Sequence, residues 1–160
     1  MQVEFFMREV HGRGIVGWDA TRGKRTRVPG TLMAAGKGLP HDLAQYVIEA
    51  STGYKHGFWG LVAQGATFKS TGRRRTKPGR AVIAAHRDEL AGAERLAGLH
   101  MAQWKAQVAS PVSANLDRAQ AQWNELHPGE RLQFAWPSPH GSIVTEPSST
   151  VAGVRATTTV

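Results

Sequence analysis

Leu39-Pro40-His41-Asp42-Leu43-Ala44-Gln45-Tyr46-Val47-Ile48-Glu49-Ala50-Ser51-Thr52-Gly53 is the stretch around which the rest of the chain is organised. Pro40 suits a first helical turn, because the N–H it lacks would have had no intrahelical partner there. Asp42 sets a negative charge near the positive start of the helix. Leu43, Val47 and Ala50 fall on one stripe flanked by Ala44 and Ile48, which is helical spacing, and Gly53 favours a left-handed stop. The spacing predicts a helix over 41–53. A tight turn, Tyr54-Lys55-His56-Gly57, then leads into Phe58-Trp59-Gly60-Leu61-Val62-Ala63-Gln64-Gly65. That octet is short, bulky and bounded by glycines, and it reads as a two-turn helix packed into the core.

On the N-terminal side, residues 2–10 are rich in Val and Phe, and Gly14-Ile15-Val16-Gly17-Trp18-Asp19 reads as a second strand. Gly12-Arg13-Gly14 between them has turn chemistry, so a hairpin is expected. Residues 25–28 offer a third strand before Pro29-Gly30 interrupts it. So small a sheet is marginal in water and requires a helix on its apolar face.

On the C-terminal side, residues 67–79 form a loop carrying Lys69, Arg73, Arg74, Arg75 and Lys77 among Ser, Thr, Gly and Pro. A long helix is expected over 80–108, with Ile83, Leu90, Ala97 and Trp104 in one line. Ser110-Pro111 ends it, and Val112, Leu116, Ala119, Trp123 and Leu126 mark a second helix that His127-Pro128-Gly129 stops. Two amphipathic helices joined by a short break are most simply an antiparallel hairpin. Residues 131–136 offer a last strand, and beyond Pro137 the small and polar composition predicts disorder. The fold class that results is α+β: a small N-terminal antiparallel sheet packed on helices, followed by a C-terminal helical hairpin. One domain spans 1–136, with the hairpin at 80–127 and a tail at 137–160.

The 160 residues suffice for one ordinary domain, and an apolar share of 41% with five tryptophans can build its core. There is no cysteine, which excludes disulfides, thiolate metal sites and cysteine nucleophiles and fits a cytoplasmic protein. No window is apolar enough for a membrane span, and the first residues read as a strand rather than a signal peptide. The charge is uneven. Residues 1–80 hold 14 Lys and Arg against 5 Asp and Glu, whereas residues 81–160 hold 6 against 7, so the whole excess of +8 lies in the first half. It can form one electropositive surface toward nucleic acid, an anionic membrane or an acidic protein, and does not choose among them.

His41-Asp42-Leu43-Ala44-Gln45 has the shape of the H-E-x-x-H zinc motif, with Asp for Glu and Gln for the second His. That spacing works because residues four apart share a helix face, so two imidazoles meet one metal while the acid polarises water. Glu49 continues the face, and His56 is the nearest source of a further ligand. The plainer interpretation makes His41 and Asp42 first-turn residues, and Gln45 and Glu49 a solvated stripe. Tyr54, His56 and Trp59 form a second cluster, readable as a general acid–base group or as ring packing. Gly12-Arg13-Gly14-Ile15-Val16-Gly17 matches G-x-G-x-x-G, but no helix start follows to hold a pyrophosphate. The Gly30–Gly38 segment lacks P-loop spacing. His86 and His100 stand about 21 Å apart along a continuous helix, too far to share a metal, and read as polar face residues. No cofactor is implied, and no complete metal site.

The segments 39–49 and 57–66 together resemble those of a group of small uncharacterised bacterial proteins. In that group the first reads close to P-H-D-L-x-H-x-V-x-E and the second close to G-x-x-G-x-V-A-x-G-A, and the likeness extends over about residues 1–105. The resemblance implies no activity or cofactor. It does imply that Gln45 stands where those proteins place a histidine. The leading expectation is therefore a non-catalytic binding module whose basic surface, with Lys69, Arg73, Arg74, Arg75 and Lys77, meets an acidic partner, foremost nucleic acid. The alternatives are a metal-dependent hydrolase, or a degenerate relative of one, using His41, Asp42, Glu49 and His56, and a protein–protein adaptor acting through the 80–127 hairpin.

Overall fold

Strands β1 (Gln2–Val10) and β2 (Arg13–Arg22) form the expected hairpin, turning through His11 and Gly12, both at positive φ. The structure is a computed structural model and describes residues 1–71 and 75–137. Phe5 lies opposite Trp18 and Val3 opposite Ala20, so these apolar side chains share one face; Glu4 and Asp19 share the other. β3 (Thr26–Pro29) pairs with the end of β2. The chain then leaves the ladder and returns as β4 (Met33–Ala34), a two-residue strand opposite Ile15 and Val16 that sequence pattern does not anticipate. Gly30 lies between them because its Cβ would fall 2.3 Å from the Trp18 ring.

The sheet is antiparallel and is not confined to the N-terminus. Its order is β3-β2-β1-β5, with β5 (Arg131–Ala135) on the free edge of β1. Phe134 lies opposite Val3, and Met1 and Trp136 exchange backbone hydrogen bonds of 2.8 and 2.7 Å. The last strand thus covers an edge that would otherwise be open to pairing with another chain.

Helices α1 (His41–Thr52) and α2 (Phe58–Ala63) lie on the apolar face, as expected. Trp59 is the centre of an edge-to-face cluster with Phe5, Trp18, Tyr46 and Phe58, each such pair contributing about 0.5–1.5 kcal/mol beyond its area. α1 is bound on both sides. Tyr46 packs on Phe5 and Phe134 of the sheet, and its hydroxyl donates to the Ala135 carbonyl at 2.8 Å. From the far side α4 (Arg87–Lys105) and α5 (Ser113–Glu125) close over it, with Asn115 donating to Ser51 and Gln45 to Glu94. As a result every residue from Leu43 to Glu49 is buried.

The long helix expected over 80–108 is two helices. α3 (Lys77–Ala85) begins inside the segment read as a loop, capped by Thr76, whose hydroxyl accepts the Gly79 N–H. It stops at His86 (φ −124, ψ 27), and α4 runs from Arg87 to Lys105. The break has no proline or glycine to announce it, and Asp88 and Glu89 supply a fresh acidic first turn. α4 ends short of Val108 because Gln107 takes a positive φ of 58°. α5 (Ser113–Glu125) completes the hairpin, and Trp104 on α4 donates to Asp117 on α5 at 2.8 Å. Among the described residues no helix is long and apolar enough to cross a membrane. The tail expected to be disordered lies, beyond Pro137, outside the described residues.

Candidate functional site

Gln45 and Glu49 are not a solvated stripe. They are 5% and 1% exposed, because α4 covers the side of α1 that an isolated amphipathic helix would leave to water. The Glu49 carboxylate accepts the backbone N–H of Phe58 at 2.9 Å and of Trp59 at 3.0 Å, which are the first two donors of α2 left without intrahelical partners. Gln45 donates to the same carboxylate at 3.0 Å and to Glu94 at 2.8 Å. Gly57 makes this approach possible, since a Cβ there would stand 2.4 Å from the Glu49 carboxyl carbon. Burial nonetheless outweighs the three donors and lifts the Glu49 carboxyl from 4.5 to about 7. Its two oxygens are turned to the start of α2, so the group is a clamp between helices rather than a base open to substrate.

His41 and Asp42 lie at the other end of α1. His41 is exposed, and its hydrogen bond to Asp42 raises its pKa against the opposing effect of partial burial. The second oxygen of Asp42 accepts the indole N–H of Trp18 at 3.0 Å, tying the helix start to β2. His56 does not fold back onto His41. It turns toward α4, where its Nδ1 meets one oxygen of Glu89 while Nδ1 of His86 meets the other at 2.9 Å. The two imidazoles stack with centroids 3.8 Å apart and planes at 23°. Tyr54 and Trp59 take other roles: Trp59 is core, and the Tyr54 hydroxyl fills the space a Cβ would need at Gly92. His41, Asp42, Glu49 and His56 are thus held in three separate environments. Among the described residues, the His, Asp and Glu side chains close enough to surround one ion are His56, His86 and Glu89. The sequence could not single out this set, because His56 stands 33 residues from Glu89 and meets it only where the turn after α1 packs on α4.

The basic segment docks on the sheet edge. Gly30 bridges to Thr71, and the Thr31 N–H donates to the Ser70 carbonyl at 3.0 Å. Lys69 is exposed two residues before Thr71, and Arg75 and Lys77 are exposed on either side of Thr76, which donates to Thr67 at 3.1 Å; Arg73 and Arg74 lie outside the described residues. Lys24 and Arg25 stand exposed in the turn at the opposite end of β3, with Arg27 between. The acids of the same half are largely taken up internally. Asp19 is bound by Arg27 at 2.7 Å and Arg131 at 3.2 Å. Those partners overcome the cost of its burial and hold its carboxyl below the usual range. Glu4 meets Arg131 and Gln133, Asp42 holds Trp18, and Glu49 holds α2.

The chain matches no family model, no curated protein and no solved structure. What it can do rests on its own side chains.

Proposed function

We propose that this chain is a binding module whose cationic face engages the phosphate backbone of nucleic acid. The observation that carries this reading is the separation of charge within residues 1–80. Of the 5 acids there, only Glu9 is an exposed residue, whereas among the described basic residues of that half all but Arg22 are exposed. Arg27 is bound by Asp19, but the inward-held acids do little to neutralise the other exposed cations of that half, and the field these set up extends outward. Lys69, Arg75 and Lys77 beyond one end of β3, with Lys24 and Arg25 at the other, suit a chain of phosphates running along that edge. Arginine forks grip phosphate oxygens in pairs and lysines act as point charges. Contacts of this kind position a nucleic acid without reading its sequence, so weak discrimination among sequences is expected. Anisotropy titrations with labelled duplex DNA and single-stranded RNA test the proposal. Saturable binding at low salt that polyglutamate competes for poorly supports it. Absence of binding at low salt overturns it, and equal competition by polyglutamate moves the partner to an acidic protein.

A further inference from the structure

We propose that His56, His86 and Glu89 form a binding site for a divalent transition-metal ion of the zinc or cobalt class. Their donor atoms all lie within 4.8 Å of one another and come from two separate parts of the chain, the turn after α1 and the α3–α4 junction. Within that bound, each imidazole nitrogen already touches a carboxylate oxygen as closely as neighbouring ligands of one ion approach each other. Metal–nitrogen and metal–oxygen bonds of about 2.1 Å, meeting at angles between a right angle and the tetrahedral value, set neighbouring donors roughly 3.0–3.4 Å apart. Nδ1 of His86 and Oε1 of Glu89 are 2.9 Å apart, and the His56 ring lies against the other carboxylate oxygen. Modest rotation of the stacked rings would aim both lone pairs at one point beside the carboxylate. Two imidazoles with one carboxylate favour zinc, cobalt or nickel over calcium or magnesium, which prefer all-oxygen shells.

The local fold holds these groups in place. His86 occupies the break between α3 and α4, and Glu89 follows in the first turn of α4, three residues on. His56 sits in a turn pinned on both sides: the Tyr54 hydroxyl is seated over Gly92 of α4, and Gly57 is pressed on the Glu49 carboxylate. Ligands fixed by their surroundings lose little freedom on binding. The side chains of His56 and His86 are 25% and 26% exposed and that of Glu89 is 54% exposed, so an ion there would face solvent and keep positions for water or an anionic ligand. The other histidine–carboxylate pairs of the described residues, His41–Asp42 and His127–Glu130, offer one imidazole each.

The test is a cobalt titration of the full chain, freed of any affinity tag and stripped with chelator, followed by visible d–d absorption and displacement with zinc. A single ion per chain is expected, with H86Q and E89Q each weakening binding at least about tenfold, as loss of one of three protein ligands should, and H127Q leaving it unchanged. In the unaltered chain, zinc should shift the ring resonances of His56 and His86 before those of the other histidines, a readout that needs no variant. Cobalt binding that survives both substitutions, ring shifts centred elsewhere, or no uptake below millimolar metal would overturn the proposal.

Discussion

Oε2 of Glu49 stands 3.0 Å from the backbone nitrogen of Trp59, so a buried acid on α1 holds the first turn of α2, and with it the indole at the centre of the core. Replacement by glutamine keeps the shape but turns an amide donor toward one of two backbone N–H groups. A buried donor left without its acceptor costs about 1–3 kcal/mol. Glu49→Gln should lower the free energy of unfolding by that amount and Glu49→Ala by more, read from the urea midpoint of tryptophan fluorescence.

The same carboxyl makes stability depend on pH. Its pKa in the folded chain is about 7 against an ordinary 4.5, so between these values the folded state binds the extra proton. Its contribution is full below 4.5 and declines as pH rises through 7, a change of about 3 kcal/mol as an order of magnitude. The difference in unfolding free energy between the natural chain and Glu49→Gln should shift by this much across the interval. Comparison of the two removes the parallel contribution of His41, whose raised pKa acts in the same direction. A difference independent of pH would show that the three donors keep Glu49 ionised throughout.

Gly57 and Glu49 should be energetically coupled. A Cβ at residue 57 would lie 2.4 Å from the carboxyl carbon, and forcing an atom into filled space costs about 1–3 kcal/mol. In a Glu49→Ala background the methyl of Gly57→Ala enters space already vacated, so its cost should largely vanish. A double-mutant cycle on urea unfolding reads the coupling directly.

Asp42 is expected to act on stability through Trp18. The Asp42→Ala chain leaves the indole N–H, 3.0 Å from the carboxylate, without its acceptor, at about 1–2 kcal/mol. Asp42→Asn keeps an oxygen there and should restore most of the loss. Thermal unfolding of the three proteins separates this role from a catalytic one, which asparagine would not rescue.

The helix over 41–53 and the short helix after it were legible because Pro40, Gly53 and the Leu43–Val47–Ala50 stripe signal locally. The β1–β2 hairpin was legible for the same reason, and the α+β class follows from these elements. Three things were not. β4 is two residues long, below any periodicity. The break at His86 lacks a breaker residue and depends on how α3 and α4 pack. The burial of Gln45 and Glu49 depends on α4 returning over α1, a contact 49 residues distant in the case of Gln45 and Glu94 and beyond the reach of local sequence signals. The candidate sites inherited these limits: the basic segment was visible as composition, whereas His86 and Glu89 join His56 only in three dimensions.

The salt dependence of nucleic-acid binding tests the proposed function most directly. Each phosphate released from its counterions contributes about 0.9 to the slope of log K against log salt on duplex DNA. Binding to a labelled duplex should weaken steeply as salt rises. The combined variant Lys69→Gln, Arg75→Gln, Lys77→Gln should reduce that slope by roughly 2–3 if each side chain meets a phosphate, with its circular dichroism unchanged. A slope identical in the two proteins, or binding indifferent to salt, would contradict a phosphate-binding role for this face.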